Sequence, residues 1–226
     1  MSFFSFRCFL CNTPLHIISH GICSRCSQEV SRFCYCGYCG SALPYDSKTC
    51  GNCIKLKPKW DNIVFVGQYS PPLSTLIHQF KFQDQFHLDK SLARLLYLAI
   101  RNAKRTHQLK LPEVIIPVPL YRLRHWQRGY NQSLLIAKQL SYWLNIPYDD
   151  KLIIRHRNTA TQRGLSGKLR KQNLTNAFLC TDESCLYNSV AIVDDVITTG
   201  ATMKAIVDSL KNTKIENIQV WGIAKA

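Results

Sequence analysis

Two adjacent acids, followed at once by threonines and a glycine, are the residues best placed by type and spacing to hold a ligand. They lie in Ala191-Ile-Val-Asp-Asp-Val-Ile-Thr-Thr-Gly-Ala-Thr202. A buried-type apolar strand leads into Asp194 and Asp195, and a helical pattern begins near Thr202. In open α/β sheets, ligands sit beyond the carboxyl ends of the strands. Loop amides and a helix N-terminus offer N–H donors to an anion there. Gly200 lets the backbone approach closely, and the threonine hydroxyls add donors. The two carboxylates would repel a phosphate but accept hydrogen bonds from ribose hydroxyls, so the set fits a sugar phosphate. A plain strand–turn–helix corner with a capped helix is the alternative. Paired acids with Thr-Thr-Gly-x-Thr separate this segment from that common case.

Cysteine carries the second chemistry. Nine of the eleven cysteines precede residue 54, and eight of them form Cys-x-x-Cys pairs. The pairs are Cys8/Cys11, Cys23/Cys26, Cys36/Cys39 and Cys50/Cys53. A two-residue spacer lets both sulfurs of a knuckle face one ion, and two knuckles complete a tetrahedral four-thiolate site. Eleven residues separate Cys11 from Cys23 and ten separate Cys39 from Cys50, which is an internal repeat. The reading is two consecutive zinc ribbons with structural ions, since four thiolates leave no open position. Metal binding would supply the folding energy of so small a module. The repeat favours sequential pairing of the knuckles, but a crossed arrangement stays open at this point. Iron is the minor alternative as metal. A disulfide framework would need an oxidising compartment, and no export signal is read at the start of the chain. Cys34, Cys180 and Cys185 are left without a role.

Around these residues the chain divides in two. Residues 1–58 form the cysteine-rich module, ending in the linker Lys55-Leu-Lys-Pro-Lys59, and residues 59–226 form a larger domain. With 46% hydrophobic and 19% charged residues, a packed core is possible and global disorder is excluded. Beyond Asp61, apolar strands alternate with helical patterns, which predicts α/β with a largely parallel sheet. Strands are expected at 63–69, 113–118, 189–194 and 217–224. Helices are expected at 71–82, at 91–103, from about Asn131, and after Thr202. The longest apolar run, Leu95 to Ile100, is far short of the ~20 residues that span a bilayer, so a soluble, cytoplasmic protein without membrane insertion is expected.

The formal charge is +15. Between Lys151 and Thr181 there are seven Lys or Arg and no acid, a field that attracts phosphates of small ligands or of nucleic acid. Tyr35, Tyr38, Tyr121, Trp126 and Tyr130 sit among basic residues, where they could stack bases or simply fill an interface.

The segment from Ile192 to Thr202 resembles the phosphoribosyl pyrophosphate (PRPP) signature of type I phosphoribosyltransferases. That resemblance implies Asp194 and Asp195 as ligands of the ribose 2′ and 3′ hydroxyls. It implies Thr198, Thr199, Gly200, Ala201 and Thr202 as the cradle of the 5′-phosphate. Ile116-Pro-Val-Pro-Leu120, followed by Arg122, Arg124 and Arg128-Gly-Tyr-Asn-Gln132, resembles the strand end before the pyrophosphate loop of amidophosphoribosyltransferases. Arg155 through Arg170 and Asn173 resembles the loop that closes over PRPP. Taken with the four cysteine pairs, the chain resembles the ComF competence protein family over essentially its full length. The resemblance implies a role in natural transformation, at the handling of incoming single-stranded DNA, with DNA-uptake machinery as partners. It equally implies the alternative of an active transferase that moves phosphoribose from PRPP to an unidentified base or amine. In that reaction a nucleophile displaces pyrophosphate through an oxocarbenium-like state. Mg²⁺ and Arg side chains would offset the leaving charge, with Arg122, Arg128 and Arg170 as candidates. By domain order, the zinc module stands where the family's acceptor-reading hood stands.

Overall fold

The computed structural model describes residues 6–17, 20–83, 85, 87–120, 129–156, 177–182 and 187–226. Four strands make a fully parallel sheet: β1 (Asn62–Gln68), β2 (Val114–Pro117), β5 (Ser189–Ile197) and β6 (Asn217–Lys225). Their spatial order is β1-β6-β5-β2, with β5 and β6 at the centre. Parallel strands buried on both faces should be apolar along their whole length. β2 is buried at every residue, and β6 at all but its two ends.

Alternate residues of each strand feed two cores, as the two-residue period of a strand requires. Val64, Val66, Ile115, Ala191, Val193, Trp221 and Ile223 face three helices: α3 (Leu73–Phe82), α4 (Leu88–Thr106) and α5 (Gln132–Leu144). Leu73, Leu76, Ile77 and Phe80 form the buried stripe of α3, at the spacing expected from the sequence. The opposite residues Ile63, Phe65, Ile116, Ile192 and Val220 face α6 (Ala201–Ser209) and a two-stranded antiparallel pair. That pair is β3 (Ile153–Arg155) with β4 (Phe178–Cys180), an element not expected from the sequence. α5 starts on Asn131, whose side chain accepts from the N–H groups of Ser133 and Leu134, and it stops on Asn145 in the left-handed region.

The cysteine-rich segment holds two one-turn helices, α1 (Ser24–Gln28) and α2 (Gly51–Lys55). It runs along the open edge of β1. Ile63 N–H donates to the Gly37 carbonyl at 2.7 Å, and Gln68 N–H to the Ser31 carbonyl at 2.9 Å. On the helical side, His107 closes α4 and is 1% exposed. Its Nε2–H donates to the Tyr35 carbonyl at 3.0 Å, and its ring stacks on Tyr35 at 4.5 Å. Gly67 is a point where the backbones of the two parts approach closely, since a Cβ there would lie 2.3 Å from the Ser31 carbonyl oxygen. Gly67→Ala should therefore push the cysteine-rich segment off β1. We expect a loss of roughly 1–3 kcal/mol, the usual cost of overpacking, read as a lower denaturant midpoint of the metal-loaded protein.

Candidate functional site

β5 is the strand that delivers the two acids. It is paired with β2 on one side and β6 on the other, and it continues past the acids to Ile197, three residues beyond the expected end. Thr198, Thr199 and Gly200 then turn the chain into α6. Gly200 has φ +72°, a conformation that other L-residues adopt with strain, and a Cβ would also lie 2.8 Å from Trp60 Cη2. The turn opens onto a cleft of about 370 Å³. Asp194, Asp195, Thr198, Gly200, Ala201 and Thr202 all line it. Thr199 does not: its hydroxyl instead accepts from Ala201 N–H at 3.4 Å, bracing the turn from within.

Three further side chains line this cleft: Gln132, from the segment that resembles the pyrophosphate loop, and Lys81 and Ser133, which did not stand out in the sequence. Lys81, at the end of α3, pairs with Asp195 at 2.7 Å. Ser133, in the first turn of α5, donates its hydroxyl to Asp194 at 3.2 Å. Gln132 is 1% exposed and lines the cleft, and its Nε2 donor has no partner among the described residues. Buried donors are nearly always satisfied, so this one suits an oxygen-rich ligand. Only its position directly after the helix cap could have flagged Ser133; Lys81 carried no sequence signal. Arg122, Arg124, Arg128 and Arg170 lie outside the described residues, as do Tyr121 and Trp126.

Of the remaining aromatics, Tyr38 is half-buried with the Lys57 ammonium 4.6 Å over its ring, and the other two are engaged in packing. Tyr35 is buried against Phe65 and His107, and Tyr130 donates its hydroxyl to the Phe80 carbonyl at 2.5 Å.

The eight paired cysteines gather into two groups, Cys8/Cys11/Cys23/Cys26 and Cys36/Cys39/Cys50/Cys53, so the knuckles pair sequentially. Within each group the ligand atoms lie within 4.8 Å of one another. Neighbouring sulfurs are 3.6 Å apart for Cys11/Cys23, 3.8 Å for Cys39/Cys50 and 3.9 Å for Cys36/Cys53. A tetrahedron with metal–sulfur bonds of about 2.3 Å has edges of about 3.8 Å, so these groups fit a tetrahedral thiolate-bound ion. A disulfide, at about 2.05 Å, is far shorter.

The knuckles repeat in detail. Cys8 N–H donates to Thr13 O and Cys36 N–H to Ser41 O, both at 2.9 Å. Asn12 and Gly40 occupy the same left-handed position, with φ of 58° and 74°. Cys23 and Cys50 each stand at the N-terminus of a one-turn helix. The Thr13 hydroxyl and backbone pull the Cys11 thiol down to about 6, and the backbone of Cys53 pulls Cys50 down to about 7, while burial pushes Cys26 and Cys53 up. Thiols that ionise easily thus face thiols that resist ionising, a conflict that a bound dication removes.

Comparison with known proteins places the chain. It is 55% identical over 228 residues to competence protein F of Haemophilus influenzae, covering 100% of both chains. The chain belongs to the ComF competence protein family. DNA utilization protein YhgH of Escherichia coli (strain K12) is 42% identical over 219 residues, 96% of each chain. Residues 131–223 match the phosphoribosyl transferase domain family. Among solved structures, the glutamine PRPP amidotransferase from B. subtilis complexed with ADP and GMP overlays with a TM-score of 0.36 and 20% identity. It covers 58% of this chain and 25% of that one, too loose a match to build on.

This ComF-family chain therefore has a type I phosphoribosyltransferase-like parallel sheet preceded by two four-cysteine groups. The match begins at Asn131, so it takes in Ser133, both acids and the turn, and leaves out Lys81. In this cleft, removal from water pushes the Asp194 carboxyl up to about 7; the neighbouring Asp195 charge adds to the shift and Lys81 opposes it. The sign for stability follows. A carboxyl whose folded pKa exceeds its unfolded value near 4 binds its proton more tightly when folded, so stability falls as pH rises between those values. Asp194→Asn should match wild type below about pH 4 and become progressively more stable than it up to about pH 7, as read by thermal midpoints of the ligand-free protein.

Proposed function

We propose that this protein binds PRPP in the cleft at the end of β5 and acts in the handling of incoming DNA during natural transformation. The observation that carries the first half is the pair Asp194–Asp195 set against the Thr198–Thr202 turn in one cleft. In this reading the two carboxylates receive the ribose 2′ and 3′ hydroxyls. The turn amides, the Thr198 and Thr202 hydroxyls and the start of α6 hold the 5′-phosphate, with Thr199 bracing the turn. Mg²⁺ arrives with the pyrophosphate and neutralises part of its charge. Gln132 Nε2 supplies a donor, unpaired among the described residues, that a ligand oxygen would satisfy, and Lys81 a cation beside Asp195. The second half is supported by the names of its relatives, a competence protein and DNA utilization proteins. A charge of +15 favours association with a polyanion such as single-stranded DNA.

The two four-cysteine groups are proposed as structural zinc sites. Four thiolates at tetrahedral spacing are the usual closed set for that ion. Eight reduced thiols suit a reducing compartment, which supports a cytoplasmic protein, and among the described residues no helix is long and apolar enough to cross a membrane. The division into a zinc module over 1–58 and a phosphoribosyltransferase-like domain over 59–226 is proposed on the same footing.

Calorimetric titration with Mg²⁺-PRPP tests the cleft. Wild type should bind, and the double substitution Asp194→Asn, Asp195→Asn should weaken binding by at least about tenfold, the equivalent of about 1.4 kcal/mol. A folded, metal-loaded wild type that does not bind refutes the assignment. Elemental analysis of purified protein should find two zinc ions per chain, and Cys39→Ser should lower that to one.

A further inference from the structure

The turn that faces the cleft rests on the second cysteine group through one side chain. Tyr38 lies between the two cysteines of the knuckle Cys36-Gly-Tyr-Cys39. Its carbonyl accepts a hydrogen bond from the Trp60 indole Nε1–H at 2.7 Å. The far edge of the same indole ring fills the space beside Gly200, where even a Cβ would come within 2.8 Å of it. A second strut runs alongside. Lys225 Nζ donates to the Thr198 carbonyl at 3.0 Å. A third lies at α6, where Lys59, one residue before Trp60, pairs with Asp208.

A knuckle holds its shape only while its sulfurs share an ion. The Tyr38 carbonyl, held between two of those sulfurs, therefore takes its position from the metal. Through Trp60 that position reaches the backbone of the turn. Among the described residues the first cysteine group shows no such connection: Cys8 and Cys26 belong to the opposite core, the one that holds Leu88 and Leu92 of α4.

We propose that Trp60 is a positioning residue for the phosphate turn, and that it couples the metal in Cys36/Cys39/Cys50/Cys53 to ligand binding in the cleft. Each strengthens the other, because a coupling free energy between two sites is reciprocal. This rests on the reading that the turn holds the phosphate of PRPP, and the experiment separates the two.

The full chain, loaded with zinc at both groups, is mixed with a chromogenic chelator with and without saturating Mg²⁺-PRPP. PRPP binding to the same preparation is measured by calorimetry. One of the two ions should leave about fivefold or more slowly in the presence of PRPP, and the other at an unchanged rate. The protection should vanish in Asp194→Asn, Asp195→Asn, which excludes an effect of PRPP on the chelator. Trp60→Phe keeps a ring against Gly200 but removes the N–H that reaches Tyr38. It should still bind PRPP, more weakly, and lose the protection. A cobalt-loaded wild type gives an arm that needs no variant, since PRPP should shift its thiolate charge-transfer bands. PRPP that binds but leaves both release rates and the cobalt spectrum unchanged overturns the coupling and spares the cleft assignment. Equal slowing of both ions, or full protection in Trp60→Phe, overturns the role of Trp60. Absence of PRPP binding in wild type overturns both readings.

Discussion

The cleft depends on β5 being hydrogen-bonded along both of its edges. A strand fixed on one edge can slip or fray, but β5 is held by β2 over Val190–Val193 and by β6 from Ser189 to Ile197. Its apolar residues are buried on both faces, so a shift of one residue would drive Asp194 and Asp195 into opposite cores. The acids are therefore carried to a set height at the carboxyl edge of the sheet, with no freedom to retreat from each other. Burial there, with the neighbouring charge adding to it, makes Asp194 reluctant to ionise, and a lysine and a serine from separate helices meet the pair. The turn that follows inherits the same rigidity, since it starts where β5 leaves the sheet.

The cysteine-rich segment covers the β1 edge of the sheet, while residues 147–149 cover the β2 edge. An unpaired edge strand presents N–H and C=O groups that would pair with another chain. Here β1 gives two of its N–H groups to the carbonyls of Gly37 and Ser31. The segment has few aliphatic side chains of its own, and it borrows a core from its neighbour: Ile22 and Val30 pack with α4 residues, and Tyr35 with Phe65. Metal supplies the local order and the sheet supplies the apolar surface.

Much of this was legible in the sequence because it is local. The buried strands, the stripe of α3, the cap at Asn131, the acid pair with its turn and the sequential knuckles all follow from short-range pattern. What was not legible is non-local. Lys81 reads as one more polar residue on an amphipathic helix, and only the packing of α3 brings it to Asp195, more than a hundred residues on. β3 and β4 are three residues each and far apart in the chain, too short for alternation to register. Tyr35 and Tyr130 looked available for stacking because their neighbours in sequence are polar or basic, whereas their neighbours in space are Phe65, His107 and Phe80. Trp60 marked only a change of composition, and nothing nearby in sequence tied it to Gly200.

The position of β6 has a consequence for how the protein is made. It follows every other element in the chain, yet it lies between β1 and β5. Until it emerges from the ribosome, those two strands have no one to pair with each on that side, and the nascent chain carries two raw edges flanked by finished helices. The cysteine knuckles, made of contiguous residues near the start of the chain, can take up their ions long before. The Thr198–Thr202 turn, which leans on both parts through Trp60 and β5, can be completed only once β6 is in place.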